Sequence, residues 1–458
     1  MNPSIFKAYD IRGIYPSDID EDTVYAIGRA AVTTLGFTTV AVGRDARESG
    51  PALHAALIRG ICDAGGRVVD LGMITTPMLY FASWHLPDVD GAIAVTASHN
   101  PAEYNGIKIC RRDAKPVGGE SGLNDVRETV TQLLHDGVRN TDTDLPTDAV
   151  RHGDIRTPYY DYIASFARFE HAHFSVVIDC ANTMGVLELP LYERFRDAIT
   201  VIPLYCDLDH PYTAHEANPL NTATLDELRS RVVETGAALG IAYDGDADRI
   251  GFVDERGEII PMDLITGLLA RVLLTETPGA TVLYDLRSSR AVKEVIEESG
   301  GVARECRVGH AFIKEQMREY DALFAGELSG HYYFRANKNG ELSTLAAFTI
   351  LNLMARTGTR ISRLVTDLRR YYHSGEINST VHDPDTVIAT LKERYSDGEC
   401  SELDGVKISY WDGVPHGQRW WFNVRASNTE PLLRLNMEAD TEALLHEKQD
   451  ELLRIIRG

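Results

Sequence analysis

The sequence predicts an α/β protein in which three similar α/β domains are followed by a C-terminal α+β domain. Short β-branched runs alternate with helical patterns over most of the chain, which is typical of α/β units. From about Gly375 the order changes to strand, helix, strands and helix, without obvious crossover connections. The length of 458 residues also exceeds one hydrophobic core, because a domain usually contains about 100–150 residues.

Apolar runs and boundary residues mark the first two sets of elements. A helix is predicted to begin at Ser49 and Pro51 and to end before Gly65, because Ser favours the N-cap and Pro the first turn. The predicted elements are strand Thr39–Val42, helix Pro51–Ala64, strands Arg67–Leu71, Gly91–Thr96, Ser175–Asp179 and Ile199–Leu204, helix Leu225–Glu234 and strand Ala238–Tyr243.

A third set and a different tail follow. Asp383 is a predicted N-cap for the first helix of the tail, with Pro384 at its first position. The predicted elements are helix Met262–Leu274, strand Thr281–Leu286, helix Arg290–Glu298, strand Val302–Arg307, helix Ala311–Tyr320, strand Ala322–Ala325, helix Pro384–Arg394 and strands Val406–Trp411 and Trp420–Val424. We place the four domains at residues 1–148, 149–254, 255–371 and 372–458.

The overall composition argues against several classes of protein. A formal net charge of −22 disfavours nucleic acid and anionic membrane surfaces as partners, because both require surplus positive charge. A small anionic substrate remains compatible with a local cluster of cations. The apolar stretch Gly267–Leu274 is too short to span a bilayer, and the first motif begins at Tyr9, which leaves no room for a secretory signal. We therefore expect a cytoplasmic protein.

The cysteines indicate a reducing compartment. Their spacing suits neither a zinc site nor a dense disulfide framework, and no Cys-x-x-Cys pair occurs. The six residues are Cys62, Cys110, Cys180, Cys206, Cys306 and Cys400. We expect buried free thiols.

A first loop with candidate chemistry follows the apolar strand Gly91–Val95 and reads Thr96-Ala97-Ser98-His99-Asn100-Pro101. Ser98 is a candidate nucleophile, because the end of a strand is where an α/β sheet presents reactive groups. A direct Ser98–His99 dyad is not expected, because adjacent side chains of an extended segment point apart. Taken alone, the segment is more typical of an ordinary turn.

A second loop, Asp244-Gly245-Asp246-Ala247-Asp248-Arg249, follows the apolar strand Leu239–Tyr243. Alternate carboxylates in a looped backbone can converge on one hard cation, and oxygen ligands favour Mg²⁺ or Ca²⁺ over zinc. An EF-hand is disfavoured, because Arg249 stands where Gly is needed and the flanks are predicted strands. Three carboxylates this close repel one another unless a positive group lies among them, so a metal site is favoured over a solvated acidic turn.

Two further loops offer groups for a sugar and a phosphate. In the segment Gly326–His331, Glu327, Ser329 and His331 can hydrogen-bond adjacent hydroxyls, and the histidine can transfer a proton near neutral pH. The segment from Arg425 to Pro431 offers a guanidinium, hydroxyls, an amide and backbone N–H groups that suit a phosphate. Each loop alone is also compatible with a surface turn.

Together and in this order, the motifs TASHNP, DGDADR, GELSGH and RASNTEP resemble those of the α-D-phosphohexomutase family, in particular its bacterial phosphomannomutase and phosphoglucomutase branch. The resemblance extends from YDIRG at Tyr9–Gly13 to the RASNTEP loop, with support from YNGIKI, VGHAFIK and GEIN. It implies four domains around a central cleft, each of which contributes one of the loops.

The resemblance also implies a role for each loop. Ser98 would be the phosphoserine, and Asp244, Asp246 and Asp248 would hold Mg²⁺ together with it. Glu327, Ser329 and His331 would contact the sugar. The substrate phosphate would bind to Arg425, Ser427, Asn428 and Thr429. Further active-site residues would be Arg12, Lys108, Arg249 and His310, and proton transfer is assigned to His331, with His310 or Lys108 as competitors.

The reaction implied is the interconversion of hexose 1-phosphate and hexose 6-phosphate, with mannose or glucose as the sugar. Mg²⁺ would be the cofactor and a hexose 1,6-bisphosphate both the intermediate and the activator. The expected ligands are small hexose phosphates, and the expected assembly is a monomer or a homodimer.

Three alternatives remain open at the level of sequence. A phosphoglucosamine mutase of the same family usually has Gln at the position of Leu328, so this sequence disfavours an amino sugar. A sugar-phosphate phosphohydrolase would use the carboxylate loop but would leave TASHNP and RASNTEP without a role. A binding protein without catalysis would not need Ser98 and all three aspartates.

Overall fold

The structure is a computed structural model that describes residues 2–140, 148–169, 172–426 and 432–458. Its residues pack into two compact units, each assembled from several stretches of the chain. The first unit comprises Met1–Met262, Lys314–Ala325 and Ser329–Leu364. The second comprises Asp263–Ile313, Gly326–Leu328 and Val365–Gly458.

The first sheet of the first unit is mixed, and its central strands are parallel. Its elements are β1 (Ile11–Ile14), α1 (Glu21–Thr33), β2 (Thr39–Arg44), α2 (Gly50–Asp63), β3 (Arg67–Met73), α3 (Thr76–His85), β4 (Gly91–Val95), β5 (Tyr104–Arg111), β6 (Lys115–Pro116), α4 (Asn124–His135) and β7 (Val150–His152). The strand order is β1-β5-β4-β2-β3-β7, with β6 on β5. All five residues of β4 are buried, because this apolar strand has a neighbour on each side.

The second sheet repeats this architecture. Its elements are α5 (Arg156–Ala164), β8 (Phe174–Asp179), α6 (Leu189–Glu193), β9 (Ile199–Leu204), α7 (Asp226–Thr235), β10 (Leu239–Tyr243), β11 (Ile250–Asp254) and β12 (Ile259–Ile260). The strand order is β12-β11-β10-β8-β9, in which β8, β9 and β10 are parallel. β10 is buried at all five positions, so the loop that follows it begins in the interior of the protein.

The third set of elements contributes to both units. It contains α8 (Met262–Glu276), β13 (Thr281–Asp285), α9 (Arg290–Glu298), β14 (Val302–Cys306), α10 (His310–Glu319), β15 (Phe324–Gly326), β16 (Tyr332–Phe334), β17 (Gly340–Glu341), α11 (Ser343–Thr357) and α12 (Ile361–Leu364). In the second unit β13 pairs with β14 in parallel. In the first unit β16 and β17 form an antiparallel pair.

The C-terminal segment forms an antiparallel sheet covered by two helices. Its elements are β18 (Tyr372–His373), β19 (Ile377–Thr380), α13 (Pro384–Arg394), β20 (Glu399–Ser401), β21 (Val406–Tyr410), β22 (Trp420–Ala426), β23 (Leu432–Ala439) and α14 (Glu442–Arg457). The strand order is β18-β23-β22-β21-β20, with β19 also on β23. Leu445, Leu452 and Ile456 of α14 pack against Phe422 and Met437 of the sheet, which gives this segment its own core.

The fold class predicted from sequence, three α/β domains and a C-terminal α+β domain, is confirmed, and two helix starts show where boundary rules hold. The Asp383 side chain accepts the N–H of Thr386 at 3.2 Å and caps α13 as predicted. Ser49 occupies the N-cap position of α2 as predicted, but its side chain makes no capping hydrogen bond, and its hydroxyl instead accepts a hydrogen bond from Asn105 at 2.8 Å. Among the described residues, no helix combines the length and the apolar character needed to cross a bilayer.

Candidate active site

Ser98 lies just beyond β4 in a sharply turned loop of the first unit. Its φ of 51° is left-handed, and its N–H donates to Thr96 Oγ1 at 3.0 Å. The buried hydroxyl donates to Asp244 Oδ2 at 2.9 Å. The Ser98 oxygen is therefore held in one orientation by a carboxylate from another loop, as a functional group needs to be.

His99 contacts Ser98, which the sequence did not predict. The His99 Nδ1 atom lies 3.2 Å from Ser98 Oγ. The expectation of opposed side chains assumed extended backbone, and the left-handed φ of Ser98 removes that condition. Arg249, burial and Arg12 together lower the pKa of His99 far below its usual value, so the imidazole is neutral and a weak base. The contact thus orients Ser98 and does not make His99 its general base.

Arg47 binds the Ser98 loop through backbone carbonyls, and it belongs to none of the four sequence motifs. Its side chain is completely buried, and its guanidinium donates to four backbone carbonyls of the loop. The acceptors are Ser98 (2.8 Å), Asn100 (2.7 Å), Pro101 (2.5 Å) and Tyr104 (2.9 Å). Because an arginine buried without these acceptors would be strongly unfavourable, the loop and the guanidinium stabilise each other.

Tyr212 connects this arginine to the acidic loop. The Arg47 guanidinium lies 4.1 Å from the centroid of the Tyr212 ring. The Tyr212 hydroxyl lies 3.1 Å from both Asp45 Oδ2 and the carbonyl oxygen of Gly245. Tyr212 therefore contacts both Arg47, which binds the Ser98 loop, and Gly245 of the loop that contains Asp244.

The three aspartates predicted as metal ligands converge beyond the end of β10. Asp244, Asp246 and Asp248 are all buried, and one ligand oxygen of each lies within 4.8 Å of the others. Asp244 Oδ1 accepts the N–H of Arg249 at 3.1 Å, and Asp246 Oδ2 accepts the hydroxyl of Thr76 at 2.6 Å. The loop lies between β10 and β11, which form an antiparallel pair, so the helices of an EF-hand are absent from its flanks.

Lys108 supplies the ammonium that partly neutralises this loop. Its Nζ atom lies 2.6 Å from Asp246 Oδ2 and 2.6 Å from Asp248 Oδ2. Burial alone would lower the pKa of Lys108, but Asp246 and Asp248 outweigh it and raise that pKa above its usual value. Lys108 is therefore a permanent cation here and not a proton donor at neutral pH.

The residues of this loop fit a divalent cation. Burial, Asp248 and Asp246 raise the pKa of Asp244 to about 8, so the carboxylates are still crowded with Lys108 present. Asp246 Oδ1 is buried and accepts no hydrogen bond from the part of the chain that the structure describes. An oxygen-only donor set with an orphaned carboxylate oxygen is the chemistry that Mg²⁺ or Ca²⁺ takes.

His331 lies beside the same loop. Its Nδ1 atom is 2.8 Å from Ser329 Oγ, and its Nε2 atom is 3.2 Å from Asp248 Oδ1. Arg249 Nε donates to His331 Nε2 at 3.3 Å. Glu341 also approaches Asp248 and His331, but it pairs with the buried Lys314 at 2.8 Å and is therefore not assigned to a metal. His331 is thus oriented on both ring nitrogens, as a proton-transfer residue would be.

Arg12 borders the Ser98 loop on another side. Its Nε atom donates to Asp10 Oδ2 at 2.8 Å, and its Nη1 atom donates to Asn100 Oδ1 at 2.5 Å. The first unit thus brings Arg12, Ser98, Lys108, Arg249 and His331 together around the three aspartates. Their predicted catalytic and metal-binding roles remain predictions.

The second unit carries its own cluster of charged side chains. Arg287 pairs with Asp285 at 3.0 and 3.1 Å through Nε and lies 3.8 Å from Glu327. Glu376 lies 3.4 Å from Arg287, and it also faces Arg425 at 3.6 Å. The Asp285 and Glu327 carboxylates, together with Glu376, raise the pKa of Arg287 in spite of its burial.

Two groups of residues predicted to bind substrate, those of the Arg425 loop and His310, belong to the second unit. Arg425 pairs with Asp404 at 3.5 Å in addition to Glu376, and Arg434 lies 3.4 Å from Glu376. Ser427, Asn428 and Thr429 lie outside the described residues. His310 is the first residue of α10 and belongs to the second unit. The proposed roles of these residues therefore stay predictions.

Four family models match successive parts of this chain. They are described as Phosphoglucomutase/phosphomannomutase, alpha/beta/alpha domain I (residues 3–134), domain II (157–257) and domain III (261–372), and as the C-terminal domain (376–455). Together they cover most of the 458 residues. The chain belongs to the α-D-phosphohexomutase family. The resemblance found in the four loop motifs is thereby confirmed.

Individual members of the α-D-phosphohexomutase family align over nearly the whole chain. The phosphomannomutase of Methanocaldococcus jannaschii is 35% identical, with 99% of this chain and 97% of that protein covered. The phosphomannomutase/phosphoglucomutase of Pseudomonas putida is 34% identical, with 99% and 96% covered. A crystal structure of a phosphoglucomutase/phosphomannomutase family protein from Burkholderia thailandensis has a TM-score of 0.86 at 31% identity, with 99% and 97% covered. These relatives support a phosphohexomutase.

Proposed function

We propose that this protein interconverts hexose 1-phosphate and hexose 6-phosphate through a phosphorylated Ser98 and a hexose 1,6-bisphosphate. The observation that supports this most directly is the 2.9 Å hydrogen bond between Ser98 Oγ and Asp244 Oδ2. The Ser98 oxygen, which is the proposed nucleophile, thus contacts a carboxylate loop that also contacts Lys108. A hydroxyl group alone is a poor carrier of a phosphoryl group, and neighbouring cations make the transfer feasible.

Asp244, Asp246 and Asp248 would hold Mg²⁺ together with the phosphorylated Ser98. When bound, Mg²⁺ supplies positive charge that stabilises the phosphoryl oxygens during transfer. Lys108 and Arg249 add fixed positive charge on the protein side. Burial and the neighbouring Asp248 and Asp246 raise the pKa of Asp244 to about 8, which supports this assignment, since a divalent cation would favour the ionised carboxylates.

In the first transfer the bond between phosphorus and Ser98 Oγ breaks, and a bond forms between phosphorus and the free hydroxyl oxygen of the sugar phosphate. We assign the hydroxyl proton to His331 Nε2, which requires Arg249 Nε to give up its hydrogen bond to that atom, and Asp248 Oδ1 at 3.2 Å would stabilise the resulting imidazolium. The Ser98 oxygen takes a proton from water, and His331 returns its proton to the resulting hydroxide, so that no net proton is gained or lost. The return transfer reverses these steps with the other phosphate of the bisphosphate, so that the enzyme is rephosphorylated.

Both ends of the bisphosphate must reach Ser98 in turn, so the enzyme needs a binding group for whichever phosphate is not reacting. We assign Arg425 of the second unit to this phosphate, and Glu327 and Ser329 to the sugar hydroxyls. Mannose and glucose phosphates are the proposed substrates, because Leu328 lacks the amide that would favour an amino sugar. The printed names of the relatives, phosphomannomutase and phosphomannomutase/phosphoglucomutase, are in line with this choice.

A coupled assay tests the proposal. The full-length protein is incubated with Mg²⁺, a catalytic amount of glucose 1,6-bisphosphate, and mannose 1-phosphate, glucose 1-phosphate or glucosamine 1-phosphate. We expect the first two to form 6-phosphates in a reaction that depends on the bisphosphate. Turnover of only the amino sugar would overturn the substrate assignment, and release of inorganic phosphate without a mutase product would favour a phosphohydrolase.

A pair of serine variants tests the carrier. Ser98→Ala should lose nearly all mutase activity and should not take up label from ³²P-labelled glucose 1,6-bisphosphate. Ser230→Ala, on the exposed side of α7, is the matched control and should behave as the wild type. Full activity or full labelling of Ser98→Ala would refute the phosphoserine mechanism.

A further inference from the structure

Two of the six cysteines meet at one edge of the second sheet. β8 and β9 are parallel neighbours, with Asp179 opposite Leu204 at their carboxyl ends. Cys180 directly follows β8, and Cys206 lies two residues beyond the end of β9. Their Sγ atoms are 3.3 Å apart. Because 25 residues separate them in sequence, only the parallel pairing of the two strands brings these thiols together.

The backbone at both cysteines is shaped for this contact. Ala181 and Asn182 have left-handed φ values of 48° and 53°, and Tyr205 has a φ of 49°. The N–H of Cys180 donates to the carbonyl of Leu204 at 3.1 Å, which continues the strand pairing by one residue. These turns redirect both loops, so that a buried and a partly exposed sulfur face each other.

The two thiols differ in access and acidity, as a reacting pair should. Cys180 is completely buried, and burial raises its pKa well above the usual value. Cys206 is partly exposed, and its contact with Cys180 lowers its pKa in spite of partial burial. The more exposed thiol, Cys206, is therefore the one more readily ionised and oxidised, and the buried Cys180 lies within reach of it.

We propose that Cys180 and Cys206 form a reversible oxidation site that closes to a disulfide with a peroxide as the oxidant. The Cys206 thiolate attacks a peroxide oxygen, the O–O bond breaks, and a Cys206 sulfenic acid forms with release of water. The Cys180 sulfur then attacks the Cys206 sulfur, the S–O bond breaks, and a second water leaves with the Cys180 proton. In total, two thiols and one hydrogen peroxide give one disulfide and two waters, and a dithiol reductant reverses the change.

The site is coupled to the carboxylate loop through a short chain of contacts. The Thr183 hydroxyl donates to the carbonyl of Cys180 at 2.7 Å and lies 3.3 Å from the carbonyl of Asp244. The N–H of Met184 donates to the carbonyl of Gly245 at 3.3 Å. The segment that begins at Cys180 is thus the direct support of the loop that faces Ser98.

A second contact chain leads to the same place. The N–H of Asn182 donates to Tyr205 at 2.6 Å, and the carbonyl of Asn182 accepts the N–H of Tyr212 at 3.2 Å. Tyr212 in turn contacts Gly245 and Asp45. A disulfide bond is about 2 Å long, so closing it brings the two Sγ atoms, now 3.3 Å apart, roughly an ångström closer and pulls on both loops. We expect this shift to lower mutase activity about tenfold, because misplacement of catalytic groups on this scale slows transfer strongly.

The activity part of this inference rests on the proposed function, whereas disulfide formation does not, and the experiment separates them. Reduced full-length protein is titrated with hydrogen peroxide and alkylated. Intact-mass and peptide mass spectrometry then locate any crosslink, and mutase activity is measured before and after dithiothreitol. We expect a Cys180–Cys206 crosslink, a parallel loss of about tenfold in kcat, and recovery of both on reduction.

Matched variants make the result decisive. Cys206→Ser should form no crosslink and should keep its activity in peroxide, whereas Cys400→Ser, which removes an exposed thiol elsewhere, should respond as the wild type. Sulfinic acid at Cys206 without a crosslink, or a different crosslinked pair, would overturn the site. A crosslink with unchanged kcat would overturn the coupling to the carboxylate loop. If no mutase activity is detected at all, the crosslink measurement still decides whether the oxidation site exists.

Discussion

The carboxylate loop of the first unit (Asp244–Arg249) and the arginine cluster of the second unit (Arg287, Arg425 and their carboxylate partners) differ in how their charges are arranged. In the carboxylate loop three aspartates lie within 4.8 Å of one another and share Lys108. In the arginine cluster, charges alternate. Arg287 pairs with Asp285, Arg425 lies between Glu376 and Asp404, and Glu376 faces several guanidiniums.

The difference shows which of the two clusters would gain more from binding a charged ligand. Burial together with the like charges of Asp248 and Asp246 raises the pKa of Asp244 to about 8, so the carboxylate loop would gain from an added cation. In the arginine cluster, carboxylates of the protein hold the pKa of Arg287 above its usual value, although the Nε atoms of Arg425 and Arg434 are buried without an acceptor among the described residues. An anion that binds there has to compete with carboxylates of the protein. The carboxylate loop therefore keeps crowded like charges that a cation would relieve, whereas Arg287 is already paired with carboxylates of the protein.

The largest expected effect comes from Asp244→Asn. The amide keeps an acceptor for Arg249 and removes one crowded charge, so the metal-free variant should unfold at a higher temperature than the wild type. Mutase activity should fall about a thousandfold, because charge stabilisation of the phosphoryl group is lost. Thermal unfolding with and without Mg²⁺ and the coupled assay measure both effects. The control is Asp450→Asn on the exposed side of α14, and a lower melting temperature for metal-free Asp244→Asn would contradict the comparison.

An Asp-to-Asn substitution in the arginine cluster should have the opposite effect on stability. Asp285→Asn removes the carboxylate that pairs with Arg287 through Nε and Nη2. It should lower the free energy of unfolding by about 3 kcal/mol, since it leaves a buried guanidinium without its main partner. Urea unfolding at neutral pH measures the change. A stabilised Asp285→Asn variant would show that the two clusters do not differ as described.

A smaller effect is expected for Arg425→Ala, which tests the phosphate assignment. We expect KM for hexose phosphate to rise about tenfold with little change in kcat, because the residue is assigned to the phosphate that is not reacting. Arg434→Ala is the matched control, since both arginines face Glu376 but only Arg425 is assigned to substrate. Equal KM values for the two variants, or a fall in kcat alone for Arg425→Ala, would remove that role.

The last prediction concerns pH and uses a second buried carboxylate of the first unit. Glu188 accepts hydrogen bonds from Thr75, Tyr159 and Thr344, and burial raises its pKa to about 7. A carboxyl with a raised pKa binds more protons when folded. The free energy of unfolding therefore falls as the pH rises from the pKa of Glu188 in the unfolded chain to its pKa in the folded protein. The decrease is at most about 1.4 kcal/mol per pH unit for each proton.

For the metal-free protein we therefore expect the free energy of unfolding to decrease from about pH 5 to pH 8, with contributions from Glu188 and Asp244. Glu188→Gln should remove part of this decrease. Mg²⁺ should remove only the part due to Asp244, because Glu188 is not among the carboxylates of the metal loop. Denaturant unfolding across this range is the measurement. A wild-type curve that does not fall with pH would contradict both pKa assignments.

Much of the fold was predictable because local patterns and long apolar runs decide it. Helix α9 and helix α13 have the predicted bounds, and β4 and β10 were recognised from their apolar runs. The loops after these two strands could be singled out, since the carboxyl ends of parallel strands are where an α/β sheet presents functional groups. The prediction that three aspartates after β10 converge follows from the same rule.

The residues that support the site could not be found in this way. Arg47 and Tyr212 belong to no motif, and their function depends on four carbonyls and a ring that lie far away in the chain. The Ser98–His99 contact was predicted wrongly, because a single left-handed φ cancels the alternation of an extended segment. Ser49 does stand at the predicted N-cap of α2, but the loss of its capping hydrogen bond to a contact with the distant Asn105 was not predictable.

By itself the sequence determined the order of α/β units, the change to an α+β segment and the four loops that mark the family, because these depend on composition and spacing along the chain. Tertiary structure alone decided which distant groups meet, such as Arg47 with the Ser98 loop and Cys180 with Cys206. The physical reason is that such contacts are set by strand register and by left-handed turns. Neither leaves a pattern that can be read from neighbouring residues.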